Sequence, residues 1–155
     1  MQEQPSSADE TRAIILASGA LVTILALVLG VGLVSSGVLR HLVQTIPSWL
    51  TVYLGFRRKT LAKWTALPVC LFWFGIMVCI WLFLLGWARI VTGHFTEIET
   101  AMTIIVGSAS LFAFIQALRM KSASRWWVNL LIMAATFFLQ LVAFRVSLLP
   151  GIANH

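Results

Sequence analysis

Residues 13–38 read AIILASGALVTILALVLGVGLVSSGV, 26 positions without a charged side chain. A helix needs about 20 predominantly apolar residues to cross the hydrocarbon core of a bilayer, so this stretch predicts a transmembrane helix. It does not have the form of a secretory signal peptide. The segment ahead of it, residues 1–12 (MQEQPSSADETR), sets Glu3, Asp9 and Glu10 against Arg12, where a signal peptide is basic and followed by only about 7–15 apolar residues. Residues 1–12 are expected to form a polar tail, and residues 13–38 a retained first span.

Three further apolar stretches follow. Residues 64–87 are rich in Trp and Phe, with Pro68 in the first turns, where a missing amide costs little. Residues 98–118 and 126–149 complete the set, and Pro150-Gly151 ends the last before a short tail, 150–155. The composition agrees: 60% of the chain is apolar and 10% charged, too much apolar surface for a small soluble core to hide. The predicted fold is all-α, a four-helix transmembrane bundle forming one membrane domain over residues 13–149.

The basic residues set an orientation. Of the eleven Lys and Arg, eight fall in two connections: Arg40, Arg57, Arg58, Lys59 and Lys63 in the first, Arg119, Lys121 and Arg125 in the third. Short basic loops stay in the cytoplasm. Loops 39–63 and 119–125 are therefore expected inside a plasma or bacterial inner membrane, with both termini outside. The net charge of +6 is explained by this membrane-surface pattern, and no nucleic-acid partner is expected.

Between the first two spans, residues 46–63 read IPSWLTVYLGFRRKTLAK. Trp49, Val52, Tyr53 and Phe56 recur on one face of a helix, Pro47-Ser48 supplies a start, and Arg57, Arg58 and Lys59 follow. The expectation is a short amphipathic helix lying flat in the inner interface, its rings among acyl chains and its bases near anionic lipids or a partner. An ordinary aromatic belt beside a positive-inside loop gives the same pattern. A fifth crossing is not expected, because the apolar run from Ile46 to Phe56 is short and Arg40, His41 and Gln44 interrupt its extension backward.

No ionisable side chain is expected near the midplane, which disfavours proton-coupled transport. Arg89, Glu97, Glu99 and Arg145 are expected at one level of the outer interface, where they can cluster. His94 and Glu97 are spaced to share a metal but lack a third ligand, so no metal is expected. No cofactor is expected either: His41 is placed at the inner boundary and His94 and His155 outside, which leaves no histidine pair for haem. Gln116 and Asn129 are expected one turn below the inner surface, bonded to each other as interhelical glue. Ala26 with Gly30, and Gly32 with Ser36, form small-residue patches suited to close helix packing. Cys70 and Cys79 lie too far apart on one helix for a disulfide.

No phosphate-binding loop, nucleophile elbow, zinc-protease motif or Cys-x-x-Cys pair is present in the sequence. The expected function is that of a non-catalytic accessory or assembly subunit of a larger membrane complex, with a protein partner or self-association. A small oligomeric channel or transporter is the first alternative, and it requires Ser108, Ser110, Thr136 and Gln140 to face one path. An interfacial lipid-binding protein or enzyme using His41, Arg57, Arg58 or the His94/Glu97 pair is the second.

Overall fold

The structure, a computed structural model, describes residues 6–121 and 124–153. The described residues form helices and no strand. Helix α1 (Ser7–Leu25) continues as a π-helical stretch (Ala26–Gly32). It is followed by α2 (Val38–Gln44), α3 (Ile46–Phe56), α4 (Ala62–Leu84), α5 (Glu97–Arg119), α6 (Trp126–Ser147) and a final turn, α7 (Pro150–Ala153). Four helices are long and apolar enough to cross a membrane: Ser7–Gly32, Ala62–Leu84, Glu97–Arg119 and Trp126–Ser147. They match the four expected spans to within a turn or two.

Local chemistry sets the helix starts. Ser6 caps α1, its hydroxyl accepting from the Asp9 amide at 3.2 Å, and Asp9 and Glu10 place negative charge at the positive end of the helix dipole. Helix α5 opens with a capping box: Thr96 N donates to Glu99 Oε2 at 2.9 Å, and Glu99 N donates to Thr96 Oγ1 at 3.2 Å. The first consequence is a correction. Residues 7–12 are not tail but the opening turns of α1, and Asp9 is 5% exposed.

The second correction concerns where the amino-terminal end lies. Asp9 Oδ1 accepts from the Lys121 amide at 3.1 Å, and Glu10 Oε2 pairs with Arg58 Nη1 at 3.0 Å. Lys63 Nζ donates to Met120 O at 2.7 Å. The start of α1, the α3–α4 turn and the α5–α6 connection therefore share one end of the bundle, the basic end. From the sequence, both termini are expected opposite the basic loops; in the structure the start of α1 sits against them.

The third correction explains the second. Helix α3 does not lie across the end of the bundle but runs antiparallel along α1. A Cβ on Gly55 would stand 2.5 Å from Ala13 O and 2.8 Å from Ala17 Cβ, near the start of α1, while Val52 packs in one cluster with Ala20, Ile24 and Val28. At the other extreme, α2 meets the far end of α6: Gln44 Nε2 donates to Ser147 Oγ at 2.9 Å and Gln140 Nε2 donates to Gln44 O at 3.1 Å. Residues 38–56 thus form one broken helix, about 28 Å long at helical rise. The break is chemical. Pro47 has no amide to donate, and the Ser48 amide bonds to Thr45 O rather than to Gln44 O. The Gln140 side chain takes the carbonyl left over.

Small residues line much of the interior, and many large apolar ones face outward. Ala13, Ala62, Ala66, Ala113 and Ala117 form a buried cluster with Leu16, Leu67, Cys70 and Met120. Gly107 of α5 receives the Trp81 ring of α4, whose Nε1 donates to Thr103 Oγ1 at 2.9 Å. Leu131 and Phe138 of α6, by contrast, are 64% and 69% exposed. That arrangement suits a hydrocarbon solvent, where close backbone approach and interhelical hydrogen bonds hold helices together.

Candidate functional site: a cavity at the far end

At the end opposite the basic loops, the bundle forms a half-open cavity of about 320 Å³, at the lower limit of small-molecule sites. Many parts of the chain build it, including Ser35 of the turn before α2 and Phe144 of α6. The π-helical stretch contributes Leu27 and Val31, and α2 contributes Arg40, His41 and Gln44. Helix α4 supplies Trp73, Ile76, Met77 and Ile80; the α4–α5 connection supplies residues 91–95; and α5 supplies Glu99, Met102, Thr103 and Val106. The walls are mostly apolar, and the polar groups come chiefly from α2, the α4–α5 connection and the start of α5. A π-helical turn widens the helix locally, and such turns recur at functional sites. Here Gly30 leaves room for Met102 of α5, and a Cβ on Gly32 would stand 3.1 Å from Val38 Cα, so α2 can start close beside α1.

Three cavity-lining side chains carry a buried nitrogen with no hydrogen-bond partner: Arg40 Nε, His41 Nδ1 and Trp73 Nε1. Two of these, the guanidinium and the indole, can only donate. Trp73 is 2% exposed. A buried donor left unmatched costs about 1–3 kcal/mol, and all three belong to residues that line this one hollow. Glu99 also lines the cavity, but its Oε2 is engaged by Thr96 N and Oγ1, both at 2.9 Å.

No protein-family model, curated protein or solved structure matches the chain. The site therefore stands on its own geometry.

The residues singled out in the sequence are distributed unevenly about it. Trp49, Tyr53 and Phe56 face outward at 48%, 58% and 50% exposure, whereas Val52 is buried, so the expected four-residue docking face does not exist as one surface. Arg57 lies over the Tyr53 ring at 5.6 Å, Arg58 pairs with Glu10, and Lys59 is exposed at the basic end. Ala26, Gly30 and Gly32 pack within the bundle, while Ser36 occupies a turn with φ of 54°. The Gln116–Asn129 bond is not formed: Asn129 Oδ1 accepts from Ser124 Oγ and its Nδ2 donates to Ser124 O at 3.3 Å. Arg89, Glu97, Glu99 and Arg145 all belong to the far end, but among the described residues no ion pair joins them; the two ion pairs present involve Asp9 with Arg12 and Glu10 with Arg58.

Other placements bear on chemistry. Ser108 is exposed, and none of Ser108, Ser110, Thr136 and Gln140 lines the cavity, so those four do not form a shared path. His41 was expected at the opposite boundary from His94; both line the far-end cavity. Among the described residues no three His, Cys, Asp or Glu side chains gather into a metal-holding group, and His155 lies outside the described residues. The residues that sequence reading missed are Arg40, Gln44 and Trp73 as site residues. The usable signal is the spacing Arg40-His41-x-x-Gln44, which sets three polar side chains about one helical turn apart beside apolar sequence.

Proposed function

We propose that this protein is a five-crossing, non-catalytic membrane protein that holds a small ligand in its far-end cavity. The single observation behind this is that three residues lining one hollow of ligand size, Arg40, His41 and Trp73, each carry a buried nitrogen without a partner. In this reading residues 38–56 form the fifth crossing. The basic end, with Arg57, Arg58, Lys59, Lys63, Arg119, Lys121 and Arg125, faces the cytoplasm of a plasma or bacterial inner membrane. The amino-terminal end lies inside, the carboxyl-terminal end outside, and the cavity opens toward the outer leaflet. A role as accessory subunit of a larger complex is compatible with holding a ligand, and the outward faces of α6 leave room for lipid or a partner.

Native mass spectrometry of the protein, extracted from its own membrane in a mild detergent, tests the proposal. One small molecule should remain bound per chain, and Ile76→Trp, which places an indole in the cavity, should release it. A wild-type spectrum showing only bare polypeptide would sink the ligand-holding role.

A further inference from the structure

Resting on that ligand-holding role, we infer the class of ligand: an anionic amphiphile, with a carboxylate or phosphate group and a short apolar chain. The headgroup chemistry follows from the unmatched atoms. Arg40 Nε and Trp73 Nε1 are obligate donors, and His41 Nδ1 donates in one neutral tautomer and in the charged form. What such a set lacks is acceptors, and an oxyanion offers several lone pairs in the smallest volume. A charge-assisted bond to the Arg40 guanidinium is stronger than a neutral one. The apolar part follows from the walls. Leu27, Ile76, Met77, Ile80 and Val106 surround the cavity, and the first span beside it carries no charge from Ala13 to Gly32, so a chain enters without leaving an apolar environment.

Glu99 is the one acid on the lining. Its engagement in the α5 capping box directs one oxygen to the helix start and leaves the donors of Arg40 and Trp73 for the ligand. A fatty acid or lipid headgroup and a free inorganic anion share the oxyanion chemistry; the apolar walls favour the former.

The test measures thermal unfolding of the purified full chain in maltoside detergent. Decanoate (held below its micelle concentration), decanol and inorganic phosphate are titrated separately. Decanoate should stabilise saturably and bind at least about tenfold more tightly than either of the others, each factor of ten being 1.4 kcal/mol. Arg40→Gln should weaken decanoate binding about tenfold or more. Trp73→Phe, which keeps the ring packing and removes only the N–H, should weaken it about fivefold, in line with one lost hydrogen bond. The Trp73→Phe arm guards against a folding defect at Arg40. Decanol matching decanoate would overturn the anionic headgroup while leaving a ligand-holding cavity. Phosphate matching decanoate, with the same loss in Arg40→Gln, would overturn the amphiphile in favour of a soluble anion. Indifference to all three overturns the inference, and retained mass in the native spectrum then shows that the ligand-holding role itself survives.

Discussion

Gly55 and Glu99 show how much a single position decides at opposite ends of this bundle. A Cβ at Gly55 meets a backbone oxygen and a backbone nitrogen of α1, at 2.5 Å from Ala13 O and 3.1 Å from Ala17 N. Neither can swing aside as a side chain can. Gly55→Val should therefore force α3 away from α1 and cost about 1–3 kcal/mol of stability, read as a lower melting temperature in detergent. Gly75→Ala is the control, since nothing lies within 4 Å of its added carbon; it should leave the melting point unchanged or slightly higher. Equal losses from both would show that α3 does not pack where it is described. At Glu99 the expected sign is reversed. Glutamine also serves in a capping box, so Glu99→Gln keeps the start of α5 while removing the one acid on the cavity lining. Decanoate should then bind about threefold or more tightly, as expected for relief of a like-charge repulsion at short range. Weaker decanoate binding in Glu99→Gln would show that the headgroup does not sit where this carboxylate repels it.

At the scale of elements, α2–α3 separates what was legible in the sequence from what was not. The spans carried by α4, α5 and α6 announced themselves as long uncharged runs, because lipid imposes the same demand on every outward side chain. Residues 38–56 fail that criterion through Arg40, His41 and Gln44, yet those three line the cavity, Gln44 is buried, and Arg40 and His41 each hold a buried nitrogen without a partner. A hydropathy rule assumes that a polar residue in a span meets hydrocarbon; it has no term for one facing a neighbouring helix. The same inversion misplaced the face of α3. Its aromatic side chains are the conspicuous pattern, but the buried set is Pro47, Ser48, Thr51, Val52 and Gly55, which from Ser48 on is offset by one residue and made of small or hydroxyl-bearing groups. Thr51 Oγ1 donates to Thr65 Oγ1 of α4 at 3.1 Å, a bond no spacing argument reveals. The cavity was illegible for the same reason, since its walls come from parts of the chain spread from Leu27 to Phe144. The break between α2 and α3 supplies its own test. Gln140→Leu removes the donor to Gln44 O and should cost about 1 kcal/mol, within the range measured for interhelical bonds in membranes. Ser108→Ala, at an exposed position, should cost nothing measurable by the same unfolding assay.

For the whole molecule, charge asymmetry and crossing number have to be read together. With four crossings, Arg40 counts with the basic loops and Arg12 with the opposite side. With five, the two exchange places, and the basic end again holds eight of the eleven Lys and Arg. Positive-inside counting therefore returns the same eight-to-three bias for both topologies and cannot tell them apart. The contacts of Asp9 with Lys121 and of Glu10 with Arg58 do distinguish them, because they bring the amino-terminal end to the basic loops and leave α7 at the far end. An odd number of crossings follows if the bundle spans a bilayer. Labelling intact cells with a membrane-impermeant maleimide checks it. In a background with Cys70 and Cys79 replaced by alanine, single cysteines are introduced by Ser7→Cys, Lys59→Cys, Lys121→Cys, His94→Cys and Pro150→Cys. The last two should react from outside; the first three should react only after permeabilisation. If Ser7→Cys and Pro150→Cys instead react from the same side, the number of crossings is even, residues 38–56 do not cross, and the cavity cannot open toward the outer leaflet with Arg40 inside it.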